Sequence, residues 1–243
     1  MLKHCKLTEK GGRDNNEDAL LTVTLEHNNR FYLYAIADGM GGHAAGEVAS
    51  MIAITELKET VMEGFASTNT INLEVMKKLL SNGFSKANEK IINEAKTLVE
   101  RSGMGTTLVS ALLDSEGKGV VANVGDSRGY LVGDNITRIT KDHSYVQELV
   151  DRGIITPEEA AVHPQKNLVT RIIGMEGVEP DFFEIELGKN TLLLCSDGLT
   201  DSLRDERIRD IIICSKMDRI CKDLVETAKP KCRDNITVIV VQR

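Results

Sequence analysis

Short apolar runs rich in Val, Ile, Leu and Tyr recur along the chain, separated by turns containing Gly, Asp or Asn. They predict strands at Ala19–Leu25, Phe31–Ala37, Thr106–Leu113, Gly119–Val124, Gly129–Val132, Phe182–Leu187, Thr191–Cys195 and Ile236–Val241. Several alternate in hydrophobicity or are β-branched, which suits antiparallel sheets covered on one face. Elsewhere apolar positions recur at helical spacing. Val48, Ile52, Leu57 and Val61 fall on one face of a helix predicted at Ala45–Val61, as do Ile220, Leu224 and Ala228 at Asp218–Ala228. Further helices are predicted at Leu73–Leu98, Tyr145–Asp151 and Asp205–Ile213. Thr156-Pro157, followed by Glu158-Glu159, marks another helix start with Thr156 as its N-cap. Gly64 to Asn72 reads as a loop between helices.

Helical pairs separate runs of strands instead of alternating strictly with them, so the layers are segregated. The expected fold is α+β: a four-layer sandwich of two central antiparallel β-sheets flanked by α-helices. With 243 residues and no internal repeat or long linker, the chain fits one domain spanning 1–243.

Composition narrows the function classes. The net charge is -7 and no block of Lys or Arg forms a basic stripe, which argues against nucleic acid and anionic membrane as partners. No run approaches the ~18 apolar residues of a membrane span, and Met1-Leu2-Lys3-His4-Cys5-Lys6 has no apolar leader core. Cys5, Cys195, Cys214, Cys221 and Cys232 show no C-x-x-C pair and fit neither a zinc site nor a disulfide framework. A reducing cytoplasm is therefore the expected location, for an unanchored chain read as a monomer.

The chemistry lies in four acidic clusters: Asn16-Glu17-Asp18, Asp38-Gly39-Met40-Gly41-Gly42, Ser196-Asp197-Gly198 and Asp234-Asn235. Arg13 stands four residues before Glu17. Two of the clusters follow an apolar strand that opens into Asp-Gly, where glycine lets the backbone approach a ligand closely. Each taken alone is also an ordinary turn, and Gly125-Asp126-Ser127-Arg128 is explained almost as well by a plain hairpin. If the clusters converge, their carboxylates cannot all remain ionised without cations. Hard oxygen ligands suit Mg²⁺ or Mn²⁺, and a guanidinium beside them suits a phosphate oxyanion. The pattern points to phosphate-ester hydrolysis at a two-metal site.

Arg13–Asp18, Asp38–Gly42, Gly103–Thr107, Val124–Arg128, Thr140–Ser144, Leu194–Leu199 and Asp234–Val238 together resemble, in order, the metal-dependent protein phosphatase family, the type 2C protein serine/threonine phosphatases. Gly42-His43-Ala44-Ala45-Gly46-Glu47 and the compact length look most like its bacterial branch. The resemblance implies that Asp38 bridges two metal ions and the Gly39 carbonyl binds one of them. It implies that Asp197 and Asp234 hold the first ion and Glu17 the second, that Asp18 acts through metal-bound water, and that Arg13 grips the phosphate. Asp126 with Asp197 matches a third-metal position, and Asp201 is a further candidate. Hydroxide bridging the two ions would then attack phosphorus in line without a phosphoenzyme. Phosphorylated proteins are the implied partners, in opposition to a serine/threonine kinase.

Two departures stand out. Met40 occupies the place where eukaryotic relatives carry a His suited to protonating the leaving alkoxide; a thioether has no proton to give, so metal-bound water is expected to supply it. His43 is better suited to opening the following helix. Lys229-Pro230-Lys231-Cys232-Arg233 precedes Asp234 where bacterial relatives usually carry a glycine-rich turn. The stretch from about 144 to 171 corresponds to the family's flap. It reads equally as two short surface helices or as a mobile element that selects substrates. An inactive phosphoprotein-binding relative would have lost metal carboxylates, and none is missing here. A two-metal phosphoesterase for small molecules shares the chemistry but not the substrate.

Overall fold

The computed structural model describes residues 1–27, 29–41 and 45–243. In chain order its strands are β1 (Lys3–Glu9), β2 (Asp18–Glu26), β3 (Arg30–Met40), β4 (Gly105–Thr106), β5 (Leu108–Asp114), β6 (Lys118–Val124), β7 (Arg128–Val132), β8 (Ile136–Arg138), β9 (Asp181–Glu186), β10 (Thr191–Cys195) and β11 (Ile236–Gln242). The helices are α1 (Ala45–Ser67), α2 (Leu73–Ala95), α3 (Tyr145–Asp151), α4 (Pro157–Ala161), α5 (Asp197–Ser202), α6 (Asp205–Cys214) and α7 (Ile220–Ala228). One sheet has the order β1-β11-β10-β7-β8 and the other β2-β3-β5-β6-β9, with β4 paired to β3. Neighbouring strands in both run antiparallel.

The side-chain alternation of β3 builds three of the four layers. Leu33, Ala35 and Ala37 pack with Leu57, Val61, Leu80 and Phe84 of α1 and α2, whereas Tyr32, Tyr34 and Ile36 join Leu192, Leu194, Ile239 and Val241 of the facing sheet. The other face of that sheet presents Leu193, Val238 and Val240 to Ile208, Ile212 and Leu224 of α6 and α7. The central strands are thus covered on both faces, not one, which is why β3 and β11 read as nearly continuous apolar runs. Replacing a fully buried anchor such as Leu57 with Ala would cost roughly 2–5 kcal/mol.

Several elements differ from expectation. Helix α1 extends to Ser67 because Phe65 docks edge-on against Phe31, with ring centroids 5.2 Å apart. Strand β1 carries only Cys5 and Leu7 as apolar residues; register with β11, from Lys3↔Gln242 to Glu9↔Ile236, makes it a strand. Asp197 opens the short helix α5 instead of a turn, and β3 runs through Asp38 and Gly39 to Met40.

Cys5 and Cys221 form a disulfide between β1 and α7, their Cα atoms 6.0 Å apart. The expectation that no disulfide forms fails for this pair. Residues 216 apart in sequence are brought together only by the packing of α7 on β1, so cysteine spacing gives no argument for a reducing compartment. Cys195, Cys214 and Cys232 are free. Among the described residues no helix is long and apolar enough to cross a membrane.

Candidate active site

The acidic clusters meet at one edge of the sandwich because strand register puts them there. Asp18 opens β2 directly opposite Asp38 on β3, a pairing of like charges that is unfavourable unless something compensates it. From the other sheet, β10 ends at Cys195 and delivers Asp197, while Asp234 stands two residues before β11. Asp126 lies between β6 and β7, which belong to different sheets. The link is therefore a crossover between layers, not a hairpin. Gly125 makes it possible: its φ is +105°, and a Cβ there would lie 2.6 Å from Thr107.

Glu17, Asp38, Gly39, Asp126, Asp197 and Asp234 line one cleft of about 570 Å³ with Arg13 at its mouth. Asp18 stands behind the wall. Its Oδ2 accepts the Ser196 hydroxyl at 2.8 Å, and Ser196 Oγ accepts the Thr237 amide at 3.0 Å, tying the two sheets together beneath the carboxylates. Among the described residues no three His, Cys, Asp or Glu side chains are already drawn around a single point; the carboxylates surround the cleft instead. Gly42 and His43 lie outside the described residues.

The proximity and burial shift the acids. Burial, followed by repulsion from Asp18, Asp197, Asp126 and Asp234, pushes the Asp38 carboxyl well above the usual range. Asp197 is raised likewise, by burial and then by Asp126, Asp234, Asp201 and Asp18. Asp18 and Asp126 are each pushed up to about 6, chiefly by burial. Glu17 is raised by burial, partly opposed by Arg13. Asp18 Oδ1 and Asp197 Oδ1 are buried without a hydrogen-bond partner. Arg13, its side chain 59% exposed, donates from Nη2 to Asp234 Oδ2 at 2.6 Å. Orphaned hard oxygens among mutually repelling carboxylates form a donor set that fits divalent cations.

Residues without an assigned part in the sequence reading hold this arrangement. Asn235 Oδ1 accepts the Glu17 amide at 2.8 Å, and its Nδ2 donates to the carbonyls of Lys10 and Asn15 at 2.9 and 2.8 Å. One side chain thereby fixes the segment carrying Arg13 and Glu17. Thr107 Oγ1 accepts the Asp38 amide at 3.0 Å and Thr106 Oγ1 donates to the Asp38 carbonyl at 2.8 Å. A Cβ on Gly39 would meet the Gly46 carbonyl oxygen at 2.0 Å, so only glycine lets β3 lie against the start of α1. In the Lys229–Arg233 turn the buried Cys232 thiol lies 3.3 Å from the Gly198 carbonyl oxygen, and its Sγ accepts the Asp234 amide at 3.4 Å. The sequence marks these residues only as members of motifs, because the bonds themselves depend on contacts across the fold.

Asp126 is braced by His143, whose Nδ1 accepts the Gly125 amide at 3.0 Å while Nε2 faces Asp181 Oδ2 at 3.1 Å. An accepting Nδ1 requires the neutral ring, in keeping with the downward shift that burial imposes on it. Asp201 is ion-paired with Lys166. The flanking segment 144–171 holds α3 and α4, closed at its base by the Ser144↔Val169 bridge. Thr156 caps α4 in a reciprocal capping box with Glu159.

The model of the protein phosphatase 2C family matches residues 11–235. The chain belongs to the protein phosphatase 2C family. It is 38% identical over 245 residues to the serine/threonine phosphatase stp of Listeria innocua, covering 97% of this chain and 94% of that protein. The crystal structure of the serine/threonine phosphatase Stp1 from Staphylococcus aureus superposes with a TM-score of 0.90 at 38% identity, covering 100% of this chain and 95% of that one. The catalytic domain of the serine/threonine protein phosphatase PstP, solved in complex with two manganese ions, gives 0.82 at 35% identity, covering 99% and 97%. The four-layer α+β sandwich of this phosphatase 2C chain is the fold of those bacterial enzymes.

Proposed function

We propose that this phosphatase 2C-family protein hydrolyses phosphoserine and phosphothreonine in proteins by direct attack of water on phosphorus, using Mn²⁺ or Mg²⁺ at a two-ion site with a third ion beside it. The observation that carries the reading is the gathering of Glu17, Asp38, Asp126, Asp197 and Asp234 around one cleft with Arg13 at its mouth and Asp18 behind its wall. In this reading Asp38 and the Gly39 carbonyl would be shared between the ions, Asp197 and Asp234 would hold one and Glu17 the other, and Asp18 would act from behind. Asp126 with Asp197 would take the third. The ions supply an acidified water for attack at neutral pH and positive charge for the phosphoryl oxygens.

The chain's own residues do the rest. Arg13 orients the phosphate by charge-assisted hydrogen bonds, releasing Asp234 as it does so. Asn235 and Thr107 keep Glu17 and Asp38 in place, so little reorganisation accompanies the reaction. Met40 lines the cleft without a proton to offer; as the P–O bond to the serine or threonine oxygen breaks, that oxygen takes its proton from solvent in the cleft. Cys195, whose thiol burial pushes up to about 12, and Ser196, engaged with Asp18 and Thr237, are not nucleophiles. We read residues 1–243 as one catalytic domain with 144–171 as its flap, acting as a cytoplasmic monomer on phosphoproteins made by a serine/threonine kinase.

The test is phosphate release from a phosphothreonine peptide with Mn²⁺, with Mg²⁺ and with excess chelator, alongside Asp38→Asn. Metal-dependent turnover that falls at least 10²–10³-fold in the variant is expected. Absence of turnover in folded, metal-loaded protein would overturn the reading.

A further inference from the structure

A second groove of about 810 Å³ opens off the catalytic cleft, with Asp126, Asn167 and Asp197 lining both. One wall is the apolar side of the flap, including Val146, Val150 and Ala161; the other comes from α5 and the start of α6. Its charges are sorted. Asp126 and Asp197 belong to the cleft end. Asp201 is paired with Lys166, and Asp142 with Arg128 and Arg138. Arg204, Arg207 and Lys231 line the groove but not the cleft. All three are exposed, and among the described residues none of these side chains has a hydrogen-bond or ion-pair partner.

Three unpaired cations around one groove are conspicuous on a chain of net charge -7. Arg204 stands at the N-cap of α6 and Arg207 within its first turn, where the helix dipole disfavours positive charge, so helix stability does not account for them. Asp205 and Glu206, on the same turn, do not line the groove. Lys231 comes from the Lys229–Arg233 turn, the segment that departs from the glycine-rich pattern. We propose that this groove takes the substrate chain beside the phosphorylated residue and selects an anionic side chain there, a carboxylate or a second phosphate. The inference rests on the phosphatase reading and names the class of phosphoprotein that the same site prefers. The phosphoresidue enters the cleft at the metal-facing carboxylates, and an acidic neighbour meets the unpaired cations.

Three phosphothreonine peptides test it, with positions flanking the phosphoresidue occupied by Asp, by a second phosphoserine, or by Ala. The wild-type protein is expected to favour one or both anionic peptides over the neutral one by roughly tenfold in kcat/KM at low salt, the combined worth of three exposed ion pairs. The preference should shrink at high salt and vanish in Arg204→Gln/Arg207→Gln/Lys231→Gln. Preference for the doubly phosphorylated peptide alone assigns the site to a second phosphate; preference for both assigns it to negative charge in general. Equal kcat/KM for all three in the wild type, or a preference that survives the triple substitution, overturns the proposal. Failure to turn over any peptide is a separate result that removes the phosphatase reading and this inference with it.

Discussion

The cleft and the groove share a wall but are built on opposite principles. In the cleft, each carboxylate sits at or beside a strand end whose register is fixed by sheet pairing, and hydrogen bonds from Asn235, Ser196 and Thr107 secure the backbone around it. In the groove, one wall is made of α3 and α4, helices of seven and five residues tied down mainly at the base of the flap. The first arrangement suits chemistry, where a misplacement of about 1 Å can cost 10²-fold. The second suits recognition, where short elements adapt to different chains. Like-charged carboxylates require rigid support, whereas cations facing solvent do not.

Asn235→Ala should damage the cleft most. The substitution strips three hydrogen bonds at once and leaves the Glu17 amide without its acceptor. An orphaned buried donor costs ~1–3 kcal/mol, and the segment carrying Arg13 and Glu17 would shift. Turnover is expected to fall on the order of 10²-fold, equally for a phosphopeptide and a small aryl phosphate. Steady-state kinetics on both substrates check this; a loss confined to the peptide would place Asn235 in recognition instead.

A smaller effect tests the burial of the Asp18 carboxylate behind the cleft. Asp18 titrates near 6 in the folded chain against an ordinary value near 4. Between those values the folded state binds more protons than the unfolded one, so stability present at lower pH is lost as pH rises through about 6. For Asp18 this amounts to on the order of 2–3 kcal/mol. In chelator the Tm should therefore fall from pH 4.5 to 7.5 more steeply in wild type than in Asp18→Asn, which keeps an oxygen for the Ser196 hydroxyl. His143, whose lowered pKa acts in the opposite sense, is common to both proteins and cancels. Added Mn²⁺ should raise the wild-type Tm more at pH 7.5 than at pH 4.5. Parallel melting curves for the two proteins would show that Asp18 is not held against its charge.

Much of this was legible in the sequence, and the limits have physical causes. Strands such as Thr191–Cys195 and the capped start at Thr156-Pro157 are written in local residue preferences, and they appear at those positions. The acidic clusters at Glu17-Asp18, Asp38 and Asp197 announced themselves by combining charge with apolar strands. What stayed hidden depends on distant contacts: β1 exists only because β11 pairs with it, and the Cys5–Cys221 bond only because α7 packs on β1. The crossover at Gly125-Asp126 looked like a hairpin because nothing in four residues says which sheet the next strand joins. Asn235 carries no assigned role in the sequence because its partners lie more than 200 residues away.

The smallest expected effect concerns the flap itself. Shortening it within 153–165 removes α4 and the outer part of the groove wall. It leaves the bonds at its base, from the Tyr145 amide to the Leu168 carbonyl and from the Thr170 amide to the His143 carbonyl, both 2.8 Å. His143 keeps its hold on Gly125, and Lys166 keeps Asp201. The carboxylate cleft should therefore survive, and hydrolysis of a small aryl phosphate should change little. A protein substrate, which must lie along the groove, should lose roughly tenfold in kcat/KM, equivalent to about 1.4 kcal/mol of transition-state binding. If both substrates lost activity equally, the flap would be supporting the cleft instead of reading the substrate. The division between rigid chemistry and adaptable recognition would then fail at the boundary marked by Asp126, Asn167 and Asp197.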